Sequence, residues 1–309
     1  MKVLRAKSAG FCWGVERAIE IARDYTTQGR HPVYTDGPLI HNRQMMERLT
    51  AEGIREVGDY QSRAPVEMED PEQAKNPVLV VRAHGISPER RRYLRSLDVE
   101  FRDATCPDVG IIAGKIRQHV RKGFAVVIFG DVNHPEIIGL LGYTEPGRGF
   151  AVRNQEEIDA LPPLGEKVVM VSQSTMFTDE FNRLANHLRT HYPEVVVIDT
   201  ICGATKDRQG DVTNLVDSGA EAIVVIGGQH SANTRKLASL ARDQGLPTFH
   251  IETALELDHD ELRQFGTVGV TAGASTPEFL IEEVCRVLGE IEPAQSRPHA
   301  VAEGKSATG

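Results

Sequence analysis

The chain has 309 residues, 40% of them hydrophobic and 26% charged, a composition that excludes an extended disordered chain and supplies enough apolar side chains for two or three cores. Its formal net charge of -9 argues against a nucleic-acid partner, whose phosphates demand a basic surface. No window approaches the roughly 20 apolar residues of a membrane span, and the opening MKVLRAKSAGFCWG has no signal-type apolar core, so a soluble, cytoplasmic protein is expected.

In chain order, short β-branched runs alternate with helical stretches such as 15–24 and 111–121. The first set of predicted strands is 3–5, 32–35, 54–57 and 78–82; the second is 99–102, 125–129, 150–153 and 168–171; the third is 195–198, 222–226, 248–251 and 268–271. This alternation predicts an α/β fold of three similar small units with mostly parallel sheets. The expected units are 13–102, 103–199 and 200–290, with the N-terminal segment 1–12 joining the third and a flexible tail over 291–309. Residues 58–77 read as a polar surface loop, and the run Arg90, Arg91, Arg92 reads as a solvated helix face.

Each unit carries one cysteine where a strand gives way to a helix: Cys12, Cys106 and Cys202, separated by 94 and 96 residues. Four cysteines without close pairing fit a reducing compartment, where thiols serve more often as metal ligands or catalytic groups than as disulfides. Zinc thiolate sites usually take two ligands from one CxxC knuckle, and the sequence contains none. Three soft thiolates from three units suit an iron-sulfur cluster better, and such a cluster would keep one iron without a protein ligand. Catalytic zinc remains the rival. Cys285, within IEEVCRVLGE, reads as a small hydrophobe of a final helix.

Open α/β sheets bind ligands beyond the carboxyl ends of their strands. After the second strand of each unit stand His41 with Asn42, His134 with Glu136, and Ser231 with Asn233; His41, His134 and Ser231 follow their cysteines by 29, 28 and 29 residues. After the fourth strand stand His84, then Gln173, Ser174 and Thr175, then Ser275. Polar side chains and free N–H groups at strand-to-helix turns read as a phosphate or diphosphate cradle, and there is no Walker or dinucleotide loop to compete with that reading. Glu136 is the one carboxylate in the set: it is either a proton source for a departing hydroxyl or an acid in a helix's first turn.

The ordered motifs GFCWGVERAI (10–19), HN (41–42), AHG (83–85), ATCP (104–107), HPE (134–136), CGATKDRQ (202–209) and TAGAS (271–275) resemble the 4-hydroxy-3-methylbut-2-enyl diphosphate reductase family, IspH or LytB, over nearly the whole chain. The resemblance implies a pseudo-threefold trefoil around a 4Fe-4S cluster held by Cys12, Cys106 and Cys202. It implies reductive dehydroxylation of an allylic diphosphate to isopentenyl and dimethylallyl diphosphate, the last step of the deoxyxylulose phosphate route, with ferredoxin or flavodoxin as electron donor. His41, His84, Ser231, Asn233 and Ser275 are implied to hold the diphosphate with His134 nearby, Glu136 to relay the proton, and Ser174 with Thr175 to orient the reacting end. The chain departs from the family pattern at Ser174, where Thr is usual, at Ala232, where a second Ser is usual, at Trp13 beside the first cysteine, and in PDVGIIAGKI after Cys106. Two alternatives follow, a paralogue acting on another allylic diphosphate and a non-catalytic iron-sulfur sensor. A monomer is expected, because no exposed apolar stripe asks for a partner.

Overall fold

The structure, a computed structural model, describes residues 1–58, 65–68 and 76–294. From the N-terminus, β1 (Lys2–Arg5) leads into α1 (Trp13–Thr27), followed by β2 (Val33–Asp36), α2 (Arg43–Ala51), β3 (Ile54–Val57), β4 (Val78–Val81), α3 (Pro88–Arg95) and β5 (Glu100–Asp103). The pattern recurs as α4 (Pro107–Val120), β6 (Ala125–Phe129), α5 (Pro135–Leu141), β7 (Gly149–Val152), α6 (Gln155–Asp159), β8 (Lys167–Ser172), α7 (Thr178–His191) and β9 (Glu194–Val197). It recurs again as α8 (Gly203–Asp217), β10 (Ala222–Ile226), α9 (Ala232–Asp243), β11 (Thr248–Ile251), a 3-10 turn at Ala254–Glu256, α10 (His259–Leu262), β12 (Thr267–Ala272) and α11 (Glu278–Glu290).

These elements form three four-stranded, all-parallel sheets in the orders β3-β2-β4-β5, β7-β6-β8-β9 and β11-β10-β12-β1. The central strands β4, β6 and β10 are apolar and buried throughout, as a parallel sheet covered by helices on both sides requires. The fold class expected from the alternation is therefore the one observed. No helix among the described residues is long and apolar enough to cross a membrane.

One grouping differs from the sequence order. The strand before each cysteine heads its predicted set of four, yet it completes the sheet before: β5 pairs with β4, β9 with β8, and β1 with β12. Side-chain packing explains the choice. Val99 and Phe101 pack against the core of Tyr34 and Leu79, and Val3 and Leu4 pack with Val268 and Val270. The chain therefore crosses between sheets at the cysteine turn, and each cysteine sits on a seam.

Two polar readings are also corrected. Arg90 is buried and forms a two-pronged ion pair with the fully buried Asp36, Nη2 to Oδ1 at 2.6 Å and Nε to Oδ2 at 3.1 Å, while Arg91 pairs with Asp103. The arginine run thus ties α3 to the ends of β2 and β5 rather than facing only water. Within the loop read as polar surface, Val66 is buried in the first core and its N–H donates to the Tyr93 hydroxyl at 2.8 Å. The rest of that loop, 59–64 and 69–75, and the tail beyond 294 lie outside the described residues.

Candidate active site

The three seams meet at one cavity. Cys12, Cys106 and Cys202 occupy the N-cap positions of α1, α4 and α8, and all three line the cavity. None uses its sulfur to cap its helix. Instead each is fixed through its backbone: the N–H of Cys12 donates to Ala274 O (3.0 Å), that of Cys106 to Ala83 O (2.8 Å) and that of Cys202 to Ser174 O (3.0 Å). The accepting turns follow β12, β4 and β8, so one bond, made three times, ties each cysteine to the turn that bears Ser275, His84 or Thr175. Close approach is strict at Gly14, where a Cβ would come within 2.5 Å of Cys106 Sγ. Burial pushes the Cys106 thiol up to about 11 and raises that of Cys202, whose Sγ lies 3.1 Å from Thr205 Oγ1. Three free thiols that face one space form a soft donor set with the composition an iron-sulfur cluster needs. Cys285 lies outside the cavity, half-buried against the third core.

The polar half of the cavity comes from the turns after the second and fourth strands. His41, His84 and His134 stand as a cluster, with ring centroids 4.6, 5.9 and 5.5 Å apart for the pairs 41–84, 41–134 and 84–134. Behind them lies Arg82, fully buried, its Nη2 3.4 Å from His41 Nε2 and 3.3 Å from His84 Nδ1. Burial and then the Arg82 charge hold His41 down at about 3; burial and then His41 hold His84 well below its ordinary value; burial and then Arg82 hold His134 at about 4. All three rings are thus neutral near pH 7, and each keeps one N–H donor. In the third unit Ser231 and Asn233 line the same cavity, and the buried Asn233 Nδ2 has no hydrogen-bond partner among the described residues. The Ser275 hydroxyl donates to His41 O at 3.0 Å. Ala232 supplies only a methyl between Ser231 and Asn233.

Glu136 is 1% exposed. Its Oε1 accepts the Ser174 N–H at 2.7 Å and its Oε2 accepts the Ser174 hydroxyl at 2.6 Å. Burial raises this carboxyl to about 7 against the lowering effect of both Ser174 bonds. It can hold or release a proton at neutral pH, as a general acid must. Gln173 braces the turn: its Oε1 accepts the Asp131 N–H at 3.1 Å and its Nε2 donates to Thr175 Oγ1 at 3.0 Å. Trp13, which in sequence reads either as a cap over the cluster or, by a slight preference, as interface packing, is 61% exposed and lines the cavity.

Of the residues singled out in the sequence, the structure brings the three cysteines, the three histidines, Glu136, Ser174, Thr175, Ser231, Asn233 and Ser275 to this one cavity, while Asn42 and Gln173 stand outside its lining. Sequence reasoning missed Arg82 and Arg208. Arg208 is buried beside the thiols, its Nη2 donating to Gly10 O at 2.6 Å and its Nη1 to Ala204 O at 2.8 Å. A charged residue in an otherwise apolar strand end, RAHG, was the available signal for Arg82; Arg208 was marked only by its place in CGATKDRQ.

A model of the LytB protein family matches residues 3–289. The chain is 70% identical over 288 residues to a 4-hydroxy-3-methylbut-2-enyl diphosphate reductase of Opitutus terrae, covering 93% of this chain and 99% of that protein. It is 37% identical over 292 residues to the reductase of the same name from Aquifex aeolicus, covering 94% and 96%. Among solved structures it is similar to the E-1-hydroxy-2-methyl-but-2-enyl-4-diphosphate reductase of Plasmodium falciparum, with a TM-score of 0.82 and 26% identity over 93% of this chain and 87% of that one. It is also similar to a structure of (E)-4-hydroxy-3-methyl-but-2-enyl diphosphate reductase, the terminal enzyme of the non-mevalonate pathway, with a TM-score of 0.67 and 37% identity over 94% and 100%.

Proposed function

The chain belongs to the LytB protein family, and from that premise we propose that it reduces (E)-4-hydroxy-3-methylbut-2-enyl diphosphate to isopentenyl and dimethylallyl diphosphate. The reaction consumes two electrons and two protons and releases the allylic hydroxyl as water. The observation that carries the proposal is the meeting of a buried, protonatable Glu136 with an uncharged histidine face at the cavity edge where three thiols converge.

The donor set fits a 4Fe-4S cluster on Cys12, Cys106 and Cys202, which when bound supplies electrons one at a time and a Lewis-acidic iron without a protein ligand. His41, His84 and His134 offer neutral N–H donors to the diphosphate, and Ser231, Asn233 and Ser275 offer hydroxyl and amide donors from the third unit. The Asn233 Nδ2 has a donor to give, since nothing among the described residues takes it. Ser275 has to turn its hydroxyl away from His41 O to join them. Glu136 passes its proton toward the departing hydroxyl, and Ser174 keeps the carboxyl oriented while it does so. Thr175, held by Gln173, borders the same end of the cavity. We take the units as 13–102, 103–199 and 200–290, each contributing one thiol and one arm of the cradle, with segment 1–12 working with the third. A monomer in the cytoplasm that draws electrons from a ferredoxin or flavodoxin completes the reading.

A sensor reading leaves the buried carboxyl and the cradle without a purpose, so it is set aside. Anaerobic reconstitution tests the proposal, with a Mössbauer spectrum before and after addition of the diphosphate and turnover driven by a strong one-electron reductant. We expect one distinct iron to change on addition and the substrate to be consumed. A cluster that forms and ignores the substrate, with no turnover, would overturn the assignment.

A further inference from the structure

Outside the central cavity, Asp159, His187 and His191 gather at the surface of the second unit. His187 and His191 lie four residues apart on the last turns of α7, so both side chains leave the same face, and Asp159 ends α6 opposite them. Asp159 Oδ1 stands 2.7 Å from His187 Nε2 and 2.9 Å from His191 Nε2. One atom from each residue falls within 4.8 Å of the other two.

Hydrogen-bond accounting at His191 shows what this geometry lacks. Its Nδ1 lies 3.1 Å from the carbonyl oxygen of His187, an acceptor only, and 3.1 Å from Thr190 Oγ1, which spends its own hydrogen on that same carbonyl at 2.7 Å. The Nδ1 must therefore carry hydrogen. A neutral ring then has a bare lone pair at Nε2, 2.9 Å from a carboxylate oxygen. Two acceptors at 2.9 Å need a positive centre between them, either a second proton on the ring or a metal ion. The backbone carbonyl on Nδ1–H is the outer partner that metal-bound histidines usually have. The negative end of α7 favours a cation at the same place.

We infer that Asp159, His187 and His191 form a site for one divalent transition-metal ion of the zinc class, with water as its fourth ligand. Two imidazoles and a carboxylate are a hard-to-intermediate donor set that suits zinc, and tetrahedral bonds of about 2.0 to 2.2 Å require Asp159 Oδ1 to draw roughly half an ångström or slightly more away from each nitrogen. All three side chains are at least partly exposed and free to do so. The ion joins α6 to α7 and staples the helical layer of the second unit. It owes nothing to the cysteines and does not depend on the reaction proposed above.

The test is a zinc titration by calorimetry of the cluster-loaded protein, without substrate, beside the His187→Gln/His191→Gln double variant and Asp159→Asn. We expect wild type to take up one equivalent more than the double variant, and Asp159→Asn to weaken that step at least tenfold. The zinc X-ray absorption edge of the loaded wild type should show two imidazoles. Because these side chains are at the surface, the variants should keep wild-type circular dichroism and turnover. Equal zinc uptake by wild type and the folded double variant, or no uptake by wild type at micromolar zinc, overturns the site. If the double variant does not fold, Asp159→Asn decides by the same comparison.

Discussion

The turn after the second strand is built three times, and comparing the second unit with the other two separates scaffold from chemistry. Asn42, His134 and Ser231 each cap the helix that follows by accepting a backbone N–H, from Met45, Glu136 and Thr234 respectively. Two residues beyond each cap stand Gln44, Glu136 and Asn233. Backbone and cap are shared; Glu136 and Asn233 also line the cavity, which Gln44 does not, and only the second copy places an ionisable group there. The fourth-strand turns show the same division. Ala83 and Ala274 accept the cysteine N–H bonds with no side chain to spare, whereas Ser174 at the equivalent place also binds Glu136. Repetition supplies position, and two side chains in one copy supply the proton.

The largest test makes the second copy like the first. Glu136→Gln keeps the shape and removes the proton, so turnover should fall roughly 10² to 10⁴-fold, the usual worth of a placed general acid. Cluster content and diphosphate affinity should be unchanged. Retention of a tenth or more of the activity in single-turnover measurements would show that the copies do not differ as argued.

A smaller effect is expected from the cradle. His84→Ala removes a donor to a charged group, worth about 1.5 to 3 kcal/mol, or roughly 10 to 150-fold in diphosphate affinity. Ser275→Ala should cost less, about 0.5 to 1.5 kcal/mol, because its hydroxyl must first give up His41 O. Calorimetric titration with the diphosphate ranks the two, and the reverse order would move the cradle's weight to the third unit.

The smallest is a displacement in pH. Glu136 donates only while protonated, so turnover should decline as pH rises through about 7. The Ser174 hydroxyl stabilises the ionised carboxylate, and Ser174→Ala should therefore move that alkaline limb to higher pH as well as slow the reaction. A limb that stays in place would mean that another group controls it.

Much of this centre was legible because register is a sequence property. Cysteines, histidines and hydroxyls recurring at nearly equal offsets mark equivalent turns before any coordinates exist. What was hidden depends on partners. Whether Glu136 is a proton source or a helix-start acid turns on its burial and on Ser174, 38 residues away. Arg82 looked like the end of a strand and Arg90 like solvated charge, since the histidines and Asp36 that surround them come from other elements. The predicted sets of four strands place β1, β5 and β9 first, whereas each pairs with the sheet before, because an alternating run specifies a strand and leaves its neighbour open. His187 and His191 lack the threefold period, which is a poor guide to a feature present once.

The pairing of β1 with β12 has a bearing on how the molecule comes into being. Lys2 lies beside Thr267, and the N–H of Cys12 waits for the carbonyl of Ala274, in a turn 262 residues downstream. Cys106 and Cys202 find their partners much earlier, in turns only 23 and 28 residues upstream. Contacts of such long sequence separation form late. Cys12 therefore takes its place only once β12 and the turn after it exist, and a chain interrupted before residue 267 lacks the partners that hold that thiol.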